Sequence, residues 1–367
     1  MSKRGENIYK RRDGRWEGRY KNGFKPDGRT RYSSVYGKSY SEVRTALTEK
    51  RAENKPDRQK CCFAFGELSE LWLESIVHKV KESTYSNYSM KLEKHIIPYF
   101  GAIRYEKLTI KIFNDFIADK LSSGLSARYV SDICRVIKSI TKFVCAKLGY
   151  SDKAELLSPP KCEKKERRLL TCSQQNTLTN YLINNASSAN LGIFISAVTG
   201  MRIGELCALK WSDIDLEKRI IAVSKTMQRI KNTGGKTATK IIITPPKSKT
   251  SERVIPIPDI LYSYLKKMQC GSDCYVLTGK KHFSEPRTMQ YRFKYVLKRT
   301  GLPPVNFHSL RHMFATKCID IGIDAKTLSE ILGHSSVEIT LNRYVHSSTE
   351  RKRSCMKLFS DSIYAAL

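Results

Sequence analysis

Two short segments near the C-terminus, His308-Ser309-Leu310-Arg311-His312 and Leu332-Gly333-His334-Ser335, bring histidines and an arginine close in sequence to Tyr344, ten residues beyond His334. A phenol is a weak nucleophile toward a phosphodiester. It must lose its proton and approach a doubly flanked anion, so cationic and hydrogen-bonding groups have to surround it. Upstream, Thr199-Gly-Met-Arg202-Ile-Gly-Glu205-Leu offers a second arginine whose planar fork of donors suits phosphate oxygens.

The elements that must position these residues are legible from spacing. A helical run through Leu310–Asp320 puts His308 and Arg311, three residues apart, on one face. Leu328, Ile331 and Leu332 recur at helical spacing before Gly333, the expected C′ stop. Ser335 and Glu338 read as a capping box that opens a further helix, with Val337, Leu341, Tyr344 and Val345 on one stripe. Arg202 falls at the first turn of a helix that follows a break at Thr199-Gly200, with Leu206 and Leu209 pointing inward. Each residue alone also fits an ordinary role: surface pair, turn histidine, core tyrosine, capping arginine. Their company points to chemistry.

This series resembles the signature of the tyrosine recombinases, the phage integrase family, strongly over the C-terminal half and more loosely before it. The resemblance implies site-specific DNA strand exchange. Tyr344 would attack a phosphodiester to give a 3′-phosphotyrosine and a free 5′-hydroxyl, and a hydroxyl of the partner strand would reverse the step. Arg202 and Arg311 would grip the non-bridging oxygens, His334 would donate a further hydrogen bond, and His308 would accept the tyrosine proton or help hold the phosphate. In the family a lysine on a β-hairpin protonates the leaving oxygen. Lys247 in Pro245-Pro-Lys247-Ser-Lys249-Thr-Ser-Glu-Arg253 fits that place best, with Lys249 as the alternative. Glu205 would orient its neighbours. The bond energy is kept in the phosphotyrosine, so no cofactor, metal or ATP is expected.

Composition agrees with a nucleic-acid partner. Lys and Arg outnumber Asp and Glu by 66 to 35 over 367 residues, a formal charge of +31 spread along the whole chain. Such an excess repels itself unless a polyanion neutralises it. A ribosomal or membrane-surface protein would share the charge but would not need the motif set. The N-terminus carries no apolar leader and no segment has the length of a membrane span, so a cytoplasmic protein without membrane contact is expected. The 11 cysteines lack framework spacing and read as reduced thiols, a zinc site at Cys270-x3-Cys274 being the alternative. His308 and His312 stand at i, i+4 like a metal pair, but no Glu lies between them.

The predicted fold class is multidomain and mainly α with small β-sheets. Residues 1–58 read as three strands and a helix, and loosely resemble the arm-type DNA-binding domain of integrases from conjugative transposons and phages. Trp16, Gly18 and Tyr20 face one way, under Val43, Ala46 and Leu47, and a basic face carrying Arg15, Arg19 and Arg31 is left for DNA. Residues 61–155 read as four amphipathic helices, a block that resembles the core-binding domain of the family, with Lys91 and Arg128 among its candidate phosphate contacts. Residues 156–168 form a stiff basic linker with Lys164 and Arg167. Residues 169–350 make a mixed α/β catalytic domain. In the last stretch, 351–367, Met356, Phe359, Ile363 and Leu367 form an apolar stripe that packs on its own domain or docks on a neighbouring protomer.

The layout suggests the integrase of a mobile element, acting on double-stranded attachment sites as a tetramer, with DNA-bending or excision proteins as further partners. Three rivals share parts of this reading. A type IB topoisomerase would relax supercoils without site choice, a Xer-type resolvase normally lacks the basic N-terminal sheet, and a non-catalytic relative would only bind.

Overall fold

A computed structural model describes residues 7–24, 30–53, 63–163, 169–185, 187–232, 237–246 and 249–344, with isolated positions from 353 to 363. The chain forms two compact units, Met1–Ser75 with Lys91–Pro160, and Ile76–Met90 with Lys161–Leu367.

In the first unit an antiparallel sheet of β1 (Ile8–Lys10), β2 (Trp16–Phe24) and β3 (Thr30–Gly37) is followed by α1 (Tyr40–Glu53). The alternation along β2 fixes its two faces. Ile8, Val43 and Leu47 are buried together, with Trp16, Tyr20 and Val35 packed against them. Gly18 is where sheet and helix approach most closely, since a Cβ there would lie 2.0 Å from Leu47 Cδ1 and 2.7 Å from Val43 Cγ1. Gly18→Val is therefore expected to cost about 1–3 kcal/mol through overpacking. Limited proteolysis should then cut within residues 7–53 under conditions that leave the wild-type chain intact.

The helical part begins with α2 (Phe65–Ile76) and α3 (Glu82–Lys91). The sequence predicts a second helix over residues 84–97 ended by Pro98 and Gly101; Gly101 does cap the helical run, but Pro98 does not stop it. Instead the chain passes through a π-helical turn at Leu92–Ile96 into α4 (Ile97–Phe100), which carries Pro98 in its first turn. Proline needs no partner for a missing N–H at a helix start, and the wider turn before it accommodates the ring. Next come α5 (Ile110–Ser122) and α6 (Ala127–Leu148), each opened by a side-chain cap: Thr109 accepts from the Ile112 N–H, and Ser126 from the Tyr129 N–H. Gly149, at φ 72°, closes α6. Val130, Ile133, Ile137, Ile140 and Val144 lie fully buried along α6, as its period requires. Among the described residues no helix is long and apolar enough to cross a membrane.

The second unit holds α7 (Cys172–Asn184), the almost wholly buried α8 (Ser188–Thr199) and α9 (Ile203–Ala208). Then follow strands β4 (Ile214–Asp215), β5 (Ile220–Val223), β6 (Thr226–Lys231), β7 (Thr239–Thr244) and β8 (Arg253–Pro256). The expected hairpin between β7 and β8 is not formed. β6 pairs with β7 in one sheet, and β5 with β4 and β8 in another, so β7 and β8 belong to different sheets. The sequence also suggests a short strand at Tyr275–Thr278, where Tyr275 instead makes isolated bridges to Lys210 and Lys280. Five helices complete the unit: α10 (Asp259–Met268), α11 (Pro286–Arg299), α12 (His308–Asp320), α13 (Ala325–Leu332) and α14 (Val337–Tyr344). The α3 segment up to Met90, expected with the other core-binding helices, belongs to this unit: the Lys231 N–H donates to Ser86 Oγ at 3.0 Å and Lys240 pairs with Glu82 at 2.5 Å.

Candidate active site

Helix ends bring the site together. α12 packs on the buried α8 and presents His308 at its first position, with Arg311 one turn further on. Gly200 ends α8 at φ 67°, and Arg202 stands at the N-cap of α9 two residues later. Gly333 ends α13 at φ 65°, delivering His334. Arg202, His308, Arg311 and His334, together with Ser251, Gly333, Ser335 and Ile339, line one cleft of about 370 Å³.

Two glycine carbonyls hold the arginines. Arg311 donates through Nη1 to the Gly200 carbonyl at 2.9 Å and through Nη2 to that of Leu332 at 2.7 Å. Arg202 donates to the Gly333 carbonyl at 3.1 Å and to Glu205 Oε1 at 2.7 Å. Neither glycine can be replaced cheaply. Both have positive φ, and a Cβ on Gly200 would lie 2.6 Å from Phe314, one on Gly333 3.0 Å from Arg253.

Glu205 is 3% exposed and joins two cations. Arg253 Nη2 donates to it at 2.9 Å, opposite the Arg202 contact, while Arg253 Nε reaches the Ile331 carbonyl at 2.6 Å. Burial opposes its charge, yet hydrogen bonding from Arg253 and the charges of Arg253 and Arg202 hold the carboxyl below the usual range. The orienting role expected of Glu205 thus has a geometry. Arg253 was not singled out in the sequence; its only signal was its place at the end of the Pro-Lys-x-Lys pattern. Arg311, 2% exposed, is less basic than a free arginine because of burial, with repulsion from Arg202 and Arg253 adding to it. An anion in the cleft relieves that repulsion, so the arrangement is suited to a phosphate.

Glu205→Gln keeps the shape but removes the charge shared by Arg202 and Arg253. It is expected to lower the melting temperature, at a cost of about 3–5 kcal/mol for breaking a buried pair, and a thermal melt checks it. The carboxylate's stability contribution is present above its unfolded pKa and is lost as pH falls through the depressed folded value, so the wild-type advantage over the variant should shrink in acid.

Tyr344 does not line the cleft. It is 6% exposed, packed with Ala315, Cys318, Ile319, Leu328 and Leu332. Its hydroxyl shares a 3.0 Å hydrogen bond with Nδ1 of His312, itself 5% exposed, and its ring stacks on His334 at 6.2 Å with an 8° interplanar angle. His334 Nδ1 in turn bonds the hydroxyl of the buried Thr340 at 2.7 Å. In the sequence His312 stands out only as half of a metal-like pair, at i+4 from His308. Lys247 lies outside the described residues, as does the side chain of Lys249.

The other expected contacts divide. Arg15 and Arg19 stand on the sheet face away from α1, with 61% and 59% of their side chains exposed, paired to Asp13 and Glu17. The guanidiniums of Arg11 and Arg15 approach the Tyr36 ring at 5.5 and 5.9 Å, and that of Arg19 the Tyr9 ring at 5.7 Å. Arg31 and Arg128 are exposed. Lys91 departs from the expectation. It is 7% exposed, its charged form is disfavoured by burial despite Asp132 nearby, and it presents no open cation to a phosphate. Lys164 and Arg167 lie outside the described residues.

Residues 167–351 match the phage integrase family and residues 64–121 match the N-terminal SAM-like domain of phage integrases. A tyrosine recombinase XerC-like protein of Caldanaerobacter subterraneus is 28% identical over 330 residues, covering 81% of this chain and 82% of that one. The ICEBs1 integrase of Bacillus subtilis is 25% identical over 327 residues, covering 83% and 84%. Among solved structures, the Tn1549 transposon integrase in complex with a circular intermediate DNA superposes with a TM-score of 0.64 at 21% identity, covering 80% of this chain and 99% of that one. The fold is that of an integrase, and the chain belongs to the phage integrase family of tyrosine recombinases, enzymes of site-specific DNA recombination.

Proposed function

We propose that this protein integrates and excises a mobile DNA element, with Tyr344 as nucleophile, Arg202, Arg311, His308 and His334 around the scissile phosphate, and Lys247 as the acid for the leaving 5′-oxygen. The convergence of four chain segments on one cationic cleft carries the reading. Two arginines and two histidines can hold a phosphate through its non-bridging oxygens, and the buried carboxylate of Glu205 keeps one of the arginines aimed. Recombination between two border duplexes of the element tests it. Strand-exchange products are expected without nucleotide and undiminished by a chelator, because the phosphotyrosine conserves the bond energy. Products that depend on added metal or ATP would sink the independence claimed here.

The domain division follows the same reading: an arm-binding domain at 1–58, a core-binding domain at 61–155, a linker at 156–168 and a catalytic domain at 169–350, in a protein working in the cytoplasm. Exchange between two duplexes cuts four strands in all, which calls for a tetramer, and bending or excision proteins are its further partners. The exposed basic face with Arg15 and Arg19 supports arm-site binding and sets this chain apart from a Xer-type resolvase. In the C-terminal segment Met356, Phe359 and Ile363 are 64%, 60% and 48% exposed, which supports docking on a neighbouring protomer. Phe359→Asp is expected to leave half-site binding within about twofold while weakening assembly of the two-duplex complex by tenfold or more, the size of a lost interface anchor. Native gels with one and two duplexes read both.

A further inference from the structure

His334 is held by a group that none of the roles given above uses. Its Nδ1 lies 2.7 Å from the hydroxyl of Thr340, a threonine that is 0% exposed. We propose that Thr340 is a positioning residue that donates to Nδ1 and so fixes the imidazole with its proton on Nε2, turned to the scissile phosphate; the inference rests on the reading of His334 as a phosphate donor.

Before an imidazole can donate to a phosphate, the plane of the ring, the edge it shows and the nitrogen that carries the proton all have to be settled. Gly333, ending α13 at φ 65°, sets where the side chain leaves the backbone. The Tyr344 ring, 8° from parallel, sets the plane. Stacking leaves the edge open, because a ring turned over about its Cβ–Cγ bond keeps the same plane. Thr340 removes that choice. His334 lines the cleft and Thr340 does not, so the bond draws Nδ1 to the inner side and gives Nε2 to the cleft.

The place of the proton follows from the chemistry of the ligand. Non-bridging phosphate oxygens carry lone pairs and no hydrogen, so the nitrogen that meets them must hold the N–H. A neutral imidazole has a single N–H, which leaves Nδ1 bare and in need of a donor. The Thr340 hydroxyl is in place for it, and with Thr340 fully buried bulk water cannot substitute. With the roles reversed, Nδ1–H would donate to Thr340 and Nε2 would turn a lone pair toward the phosphate oxygens. Thr340 and Tyr344 stand four residues apart on α14 and share one side of it. One turn of helix thus grips His334 by its edge and by its face.

Imidazole NMR of the full-length protein at mildly alkaline pH tests this, since the chain has 7 histidines and His334 is assigned by the signal lost in His334→Gln. The expected wild-type ring has its proton on Nε2 and a bare, hydrogen-bonded Nδ1. Thr340→Val, which keeps the shape and loses the hydroxyl, should move the Nδ1 signal toward that of an unbonded nitrogen. A wild-type ring with a proton on Nδ1 overturns the proposal, and the wild-type spectrum decides this even if Thr340→Val does not fold. Single-turnover cleavage of nicked border duplexes gives the functional reading. Thr340→Val should lower the rate about 10–100-fold, the range seen when the outer partner of a metal-bound imidazole is lost, with binding in low salt unchanged. Thr340→Ser, which keeps the hydroxyl, should stay close to wild type. In a His334→Ala chain the valine substitution should cost nothing further, because its effect passes through the ring. An equal loss in that background would make Thr340 a general support of α14 and end the idea, as would an undiminished rate in Thr340→Val. Failure of the donor reading looks different: His334→Ala itself would cleave at the wild-type rate.

Discussion

Tyr344→Phe is expected to abolish the covalent protein–DNA species that wild type forms on nicked border duplexes, a loss of about 10⁴-fold or more, as removal of a nucleophile from covalent catalysis produces. The substitution deletes one oxygen from a side chain that is 6% exposed and leaves the packing against Ala315, Cys318 and Leu328 intact. Its structural cost is the bond to the buried His312, about 1–3 kcal/mol. Binding in low salt should therefore match wild type while denaturing gels show no shifted protein. If neither protein is trapped on any border although both bind tightly, the catalytic reading gives way to that of a DNA-binding module.

The second large effect falls on the arginines. Arg202→Ala and Arg311→Ala should each lower the single-turnover cleavage rate by about 10³–10⁵, by analogy with loss of an arginine finger at a transferring phosphoryl group. Their structural consequences should separate them. Arg202 has 36% of its side chain exposed and binds one carbonyl and one carboxylate, so its loss should leave the melting temperature near that of wild type. Arg311 is 2% exposed and joins the Gly200 and Leu332 carbonyls, the ends of α8 and α13. Its loss should lower the melt as well. Arg311→Lys lacks the planar fork whose two nitrogens reach the two carbonyls and should remain impaired. Equal melts for the two alanine variants, or cleavage within tenfold of wild type for either, would contradict this division.

Residues whose role is set within one element were legible before the fold was known. The helical spacing of His308 and Arg311, the Gly333 stop and the sidedness of β2 all follow from local geometry, and α6 runs from Ala127 to Leu148 between the caps its sequence announces. What failed to show depended on partners distant in sequence. Lys240–Thr244 looks like half of a hairpin with Arg253–Ile257, but its register is with Thr226–Lys231, a pairing that no local signal prescribes. Arg253 meets Glu205 from 48 residues away, and His312 meets Tyr344 from 32. Lys91 carries the right charge on a helix whose inner side happens to take it.

The three guanidiniums and one carboxylate around the cleft also fix an electrical balance. Arg202, Arg253 and Arg311 against Glu205 leave two positive charges, before any histidine or lysine is counted. A phosphodiester brings one negative charge and leaves an excess of one. The pentavalent arrangement formed when a phenolate adds to it carries two, equal to the guanidinium excess, while the phenol's proton passes to a base such as His308. On the assignment proposed above, the guanidiniums match the charge gathered on the passing phosphorane more closely than that of the DNA first bound, the condition under which binding energy becomes rate.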